Sequence, residues 1–243
     1  MLALRPLSRQ ITVSIEQDTP NVRPVIKGAI TEAAYTLTSA YSSNEVLGWC
    51  ARGLKKPKHE EFLHVLFKNM INAATLASRD YVIQVEGCAG VLVWSLQGNI
   101  NTWVPSCLAG TFKLARLTGI TSALKTSMKF QPSCDKVRRQ LMNCDHYLTI
   151  HYLGVLPHEQ RKGLGRALLQ HVLTKADEAH YPTYVEVTDA QAISFFKKFG
   201  FTEQGQVMIN NNRIILMVRE PVILQDHRAI SLEIAPGRRR SST

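Results

Sequence analysis

The chain has no CxxC pair, no acidic residue before Glu16, no internal repeat and no apolar run near the roughly 20 residues that a membrane-spanning helix needs. Each lack closes a door. Five cysteines, odd in number and widely spaced, make neither a disulfide framework nor a zinc-ligand set, so a reducing, cytoplasmic setting and no metal are expected. The acid-free leader 1–10 carries two arginines, faintly as in a mitochondrial presequence, but it is short and is read as a frayed terminus. An apolar fraction of 45% with 20% charged residues is ordinary for a globular chain, which sets aside disorder and membrane classes. At 243 residues one domain is expected, with a helical insertion over 101–145 and a C-terminal extension over 220–243.

What is present in excess is positive charge: 29 Lys plus Arg against 19 Asp plus Glu, a net of +10. This favours an anionic partner. Nucleic acid is not expected, because the basic residues scatter through the insertion and tail without the aromatic interleaving of a base-stacking platform.

Periodicity organises the rest. "ITVSI" at 11–15 predicts a strand, 25–41 a helix, and 59–78 an amphipathic helix with Phe62, Leu63, Leu66, Met70 and Ile71 at helical spacing. "YVIQVEG" and "CAGVLVWSLQ" predict a hairpin around a glycine turn. "HYLTIHYLGVL" predicts a strand stopped by Pro157, and "GLGRALLQHVLTKADEAH" a helix with Leu164, Ala167, Leu168, Val172 and Ala176 on one side. "TYVEVT" is a strand, "AQAISFFKKFG" a short helix closed by Gly200 in a left-handed position, and "QVMINNNRIILMV" a hairpin turning at Asn210 to Asn212. The order predicts a mixed α/β sheet.

The string "EQRKGLGRALLQ", residues 159–170, sits where that strand gives way to the long helix. Arg161, Lys162 and Arg166 lie at the helix end where the macrodipole disfavours cations, by about 0.3–1 kcal/mol each, so a negative group is expected beside them. Gly163 and Gly165 leave helix amides accessible, as a phosphate cradle requires. A dinucleotide fingerprint is excluded because its third glycine falls at Leu168, and no GxxxxGK[ST] string occurs. What stands is Q-x-x-G-x-G at Gln160, Gly163 and Gly165, which a softened helix start with solvated basic residues also explains.

The string has neighbours. "YLTIHYLGVLPHEQRKGLGRALL" followed by "VEVTDAQAISFFKKFGF" resembles the GNAT superfamily of N-acetyltransferases in order, spacing and the closing "FF..FGF". The strand "YLGVLP", the insertion and the final hairpin are most similar to its puromycin-type, small-molecule branch. Residues 146–219 carry the resemblance; 11–100 agree only in element order. It implies a GNAT-like sheet, mostly antiparallel, splayed at the centre and flanked by helices, and acetyl-CoA as acyl donor. It implies that the pyrophosphate lies on Gln160, Gly163, Leu164 and Gly165, with Arg161, Lys162 and Arg166 adding charge. It implies that the pantetheine arm pairs with the main chain of Leu153, Gly154 and Val155.

An acceptor ammonium with a pKa near 10 is only about one part in a thousand neutral at pH 7, so a base is useful. Alternation places Thr149, His151 and Leu153 on one face, and His151 falls where the family often carries its base; Glu186 is the second candidate. A lone strand histidine is also commonly a satisfied core or surface residue. Two positions depart from the family. Phe196 stands where a tyrosine is thought to protonate the leaving thiolate, with Tyr152 or Tyr184 as substitutes, and Asp189 stands where Asn contacts the cofactor arm, an Asp that equally reads as a helix N-cap. Trp94, Trp103, Phe112 and Phe130 are candidates for acceptor contact or plain core. The expectation is acetyl transfer from acetyl-CoA to a primary amine by direct attack, with a small-molecule acceptor. A catalytically weak or inactive acyl-CoA-binding module and a protein or peptide N-acetyltransferase stay open.

Overall fold

A computed structural model of the chain describes residues 20–50, 55–96, 131–142, 144, 146–209 and 211–222. Its strands are β1 (Val22–Pro24), β2 (Val82–Val85), β3 (Gly90–Leu96), β4 (Leu148–Val155), β5 (Thr183–Val187), β6 (Thr202–Ile209) and β7 (Asn212–Arg219). They form a sheet in the order β1-β2-β3-β4-β5-β7-β6, antiparallel throughout except for the parallel pair β4 and β5. The helices are α1 (Ile30–Ala40), α2 (Glu45–Cys50), α3 (Lys56–Ala77), α4 (Gln131–Leu141), α5 (Leu164–Glu178) and α6 (Ala190–Lys197).

Strand alternation sorts the core onto two faces. Leu92, Trp94, Ile150, Val185, Val187, Ile215 and Met217 face α5, where Leu164, Leu168, Leu169 and Val172 meet them. On the opposite face Val91 and Val93 pack against Leu37 of α1 and Leu63 and Phe67 of α3. Further along that face Tyr184, Ile214, Leu216 and Val218 pack with Val46 of α2 and Met142, flanked by Val137 and Leu141 of α4. Each fully buried side chain of this size contributes roughly 1.5–3 kcal/mol. Trp94 therefore belongs to the core, edge-on to Tyr81 at 5.2 Å, and not to an acceptor pocket.

Several sequence expectations hold to within a turn. Gly200 is left-handed at φ 86°, its N–H bonds the Lys197 carbonyl at 3.1 Å, and Phe201 packs back on Phe196 at 5.2 Å. Asn211, at φ 66°, turns the last hairpin. Others need correction. The stretch 25–41 opens with a 3-10 turn at Lys27–Ala29 before α1, and the polar segment ahead of it holds β1, which pairs Val22 with Val85. The strand expected at 11–15, the leader, Trp103, Phe112, Phe130 and the tail lie outside the described residues.

The close approach of α1 to β4 rests on a glycine. A Cβ on Gly154 would lie 2.9 Å from both Ala40 Cβ and Leu37 Cδ2. The leucine tip can rotate, but Ala40 moves only with its helix. Gly154→Ala is expected to destabilise the chain by about 1–3 kcal/mol, read from the midpoint of urea unfolding, and an unchanged midpoint would show that α1 is not seated there.

Candidate functional site

The parallel pairing of β4 with β5 stops early. Leu148, Thr149 and Ile150 pair with Thr183, Tyr184 and Val185, and beyond them the two strands part. At the same level β4 carries a bulge: Val93 of β3 lies opposite Tyr152 and Trp94 opposite Ile150, so His151 is the extra residue. The bulge overturns the expected alternation. Thr149 and His151 share the face toward α3, but Leu153 has crossed to the α5 side, and Tyr152 now points with His151.

Past the bulge, β4 shows an unpaired edge. Leu156 N–H donates to the Ala89 carbonyl at 2.9 Å, and counting back by two turns the polar groups of Gly154 and Tyr152 toward β3. Those of Leu153 and Val155 therefore face the opening. Side chains occupy them: the Tyr41 hydroxyl lies 3.3 Å from both the Leu153 carbonyl and the Leu153 nitrogen, and Gln160 Nε2 donates to the Val155 carbonyl at 3.3 Å. The loop after α1 spans the gap, because Asn44 Nδ2 donates to Thr188 Oγ1 beyond β5 at 3.0 Å.

Behind Gln160 the chain turns into α5. Arg161 (φ 63°) and Gly163 (φ 86°) are left-handed, and Gly163, as the N-cap of α5, brings no side-chain cap to its first amides. Glycine at 163 answers to that conformation, since nothing lies within 4 Å of a Cβ there. At Gly165 a Cβ would meet Val155 and Phe195 at ordinary contact distances of 3.6 and 3.8 Å. Arg161, Lys162 and Arg166 are exposed, but the Lys162 ammonium is bonded at 2.8 Å to Glu159, whose carboxyl it holds below the usual range. Part of the negative charge expected at this helix end comes from the chain itself.

His151 and Glu186 stand on the two sides of the gap. His151 Nε2 lies 2.8 Å from Ser95 Oγ, and burial, with a lesser push from the Arg138 guanidinium, lowers its pKa to about 3. Glu186 Oε1 accepts from the Tyr184 hydroxyl at 3.0 Å, on the face where Tyr184 is buried. Asp189 caps α6, its carboxylate accepting from Ala192 N–H at 3.1 Å. Phe196 is buried among Phe195, Phe201 and the α5 side chains. Sequence reasoning missed Tyr41 and Asn44, which reach the opening from a loop more than 100 residues away. Among the described residues no group of three or more His, Cys, Asp or Glu side chains is placed to hold a metal, and no helix is long and apolar enough to cross a membrane.

A parted parallel pair, a bulge beside it and a glycine-capped helix at its foot decide the architecture. The structure has the GNAT fold. Residues 129–201 match the model of the Acetyltransferase (GNAT) family. The GNAT fold recurs in the histone acetyltransferase HPA2 and related acetyltransferase from Corynebacterium glutamicum ATCC 13032, with a TM-score of 0.58, 17% identity, and coverage of 84% of this chain and 98% of that one. Arylalkylamine N-acetyltransferase 2 from Aedes aegypti gives a TM-score of 0.53 at 13% identity over 82% and 98% of the two chains. In sequence, an uncharacterized N-acetyltransferase of Schizosaccharomyces pombe (strain 972 / ATCC 24843) is 23% identical over 197 residues, 78% of this chain and 79% of its own length. The expected splayed, mostly antiparallel GNAT sheet is borne out.

The lowered pKa of His151 fixes a sign. As pH falls below about 6.5 the unfolded chain takes up the proton first, so stability held above that pH drains away down to about 3. Wild type is expected to lose more stability than His151→Gln between pH 7 and pH 4, by a few kcal/mol at most (about 1.4 per pKa unit), in chemical denaturation. Equal losses would mean that the ring is solvated.

Proposed function

We propose that the chain is an acetyl-CoA-dependent N-acetyltransferase acting on a primary amine of small-molecule size, by direct attack in a ternary complex. The observation that carries this is the unpaired edge of β4 at Leu153 and Val155, leading straight to the uncapped start of α5. An extended amide-bearing arm can add there as a further strand, taking main-chain bonds that Tyr41 and Gln160 now hold. Phosphates at the arm's far end would meet the first amides of α5 at Gly163 to Arg166, with Arg161 as the adjacent cation. The thioester supplies an activated acyl carbon.

The reacting end then falls near the bulge, between His151 and Glu186. His151, bonded to Ser95, is neutral at working pH and so lines the amine's approach without storing its proton. The carboxylate of Glu186 draws the incoming ammonium, whose proton passes to solvent before attack. No covalent enzyme intermediate is required. The GNAT family match, the fold and the Schizosaccharomyces relative support acetyl transfer. The acceptor, its size and the puromycin-type branch rest on the sequence resemblance.

A second reading, an acyl-CoA-binding module without turnover, is favoured by Phe196, a buried ring with no hydroxyl to give. Thiol release from acetyl-CoA across a panel of amines, polyamines and peptides separates the two. Release that requires an amine supports the transferase; tight CoA binding with no amine- or peptide-dependent release supports the module, and turnover on peptides alone replaces the small-molecule acceptor.

The pH profile tests the mechanism. With His151 neutral, kcat/KM is expected to climb with pH as the amine deprotonates, without an inflection near 6.5, and His151→Gln to lower it by roughly 10–100-fold. An inflection near 6.5 that His151→Gln removes would return proton storage to the histidine.

A further inference from the structure

Tyr41 closes α1, its own N–H bonded to the Leu37 carbonyl at 2.9 Å. Its ring is held by two others, tilted on Phe67 at 5.5 Å and edge-on to Tyr152 at 5.6 Å, while Phe67 and Tyr152 meet at 5.2 Å. Gly154 lets α1 press against β4, so this cluster and the strand edge are fixed to one another. The hydroxyl is thereby delivered to one place, the outward main chain of Leu153, at 3.3 Å from both its nitrogen and its oxygen.

That place has a direction. If the anionic end of the donor lies at α5, past Val155 and Gln160, the arm runs back along β4 and its reacting end comes level with Leu153 and the bulge at His151. The arm displaces the two long bonds of Tyr41 but not its packed ring. A phenol hydroxyl then stands beside the thioester. Two other phenols lie on that face: Tyr152, whose ring packs edge-on against Tyr41, and Tyr184, whose hydroxyl donates to Glu186; neither is hydrogen-bonded to the Leu153 main chain as Tyr41 is.

We propose that Tyr41 is a catalytic residue of this site, holding the Leu153 main chain in the free protein and donating a hydrogen bond to the departing sulfur during transfer. The inference rests on the acetyltransferase reading above. In the step, the nitrogen–carbon bond forms and the carbon–sulfur bond breaks, leaving its electron pair on sulfur. The amine's surplus proton goes to solvent, and Tyr41 keeps its own proton while sharing it with the thiolate. Burial, only partly offset by the Leu153 contact, pushes the Tyr41 pKa up to about 12, so it remains a phenol across the working range. A thiol near 8.5 gives up its thiolate without needing full proton transfer from such a group.

The test compares wild type with Tyr41→Phe, which keeps the ring cluster, using the full chain, acetyl-CoA and the best amine from the panel. Expected is a 10–100-fold fall in kcat, with the dissociation constant of CoA unchanged or tightened up to about threefold because Leu153 is released. A purely positioning role would instead weaken CoA binding and leave kcat intact. Unchanged kcat, or a loss confined to CoA binding, overturns the proposal. A wild type that shows no amine-dependent thiol release overturns the acetyltransferase reading and this inference with it, so the two failures are told apart by which protein is silent.

Discussion

The arrangement depends on where β4 and β5 stop pairing. Three residue pairs join them, and after Ile150 and Val185 the ladder ends although both strands continue. An open sheet interior normally has no free main-chain groups, and unpaired ones are costly unless something bonds them. Here the bonding is done by two side chains, the Tyr41 hydroxyl and the Gln160 amide, in long contacts of 3.3 Å. Weak side-chain partners on a strand edge satisfy the resting protein and give way to a better strand-like partner.

The bulge at His151 serves the same opening. Without an extra residue, β4 would keep its alternation and His151 would have Leu153 beside it on the face toward α3. With it, His151 and Tyr152 both look toward α3, and Leu153 and Val155 join the α5 side of the core. One inserted residue thus gives the face a polar group beside Ser95 and an aromatic wall against Tyr41 and Phe67. The same insertion falls at the point where β4 leaves β5.

Much of the fold was legible because periodicity and punctuation are local. The long helix after Gly163, the left-handed Gly200, the Asn-rich hairpin and the cap at Asp189 each follow from residues within a few positions of one another. The bulge was not legible, since "YLTIHYLGVL" reads as unbroken alternation and only its register against β3 reveals the additional residue. Trp94 read equally as pocket or core, because exposure depends on which helix covers the strand. The ion pair of Lys162 with Glu159 was within reach at i,i+3 spacing, and it qualifies the charge counted at that helix end. Tyr41 and Asn44 carried no local signal. Their partners, Leu153 and Thr188, are brought to them only by packing α1 over β4.

The fate of Phe196 follows from the same geometry. Its ring fills the α5-side core with Phe195 and Phe201, so a hydroxyl there would have to reach the gap out of an apolar cluster or stand unpaired, at a cost of about 1–3 kcal/mol. On the opposite face a tyrosine already touches the strand edge, seated in a cluster that holds its ring. A hydrogen-bond donor near the bond that breaks stabilises the departing thiolate, and which helix supplies it is a matter of packing. In this chain α6 contributes bulk and the end of α1 contributes the hydroxyl. The departure at Phe196, read alone, argued for a weakened enzyme; read with Tyr41, it argues for a donor moved to the other face of the sheet.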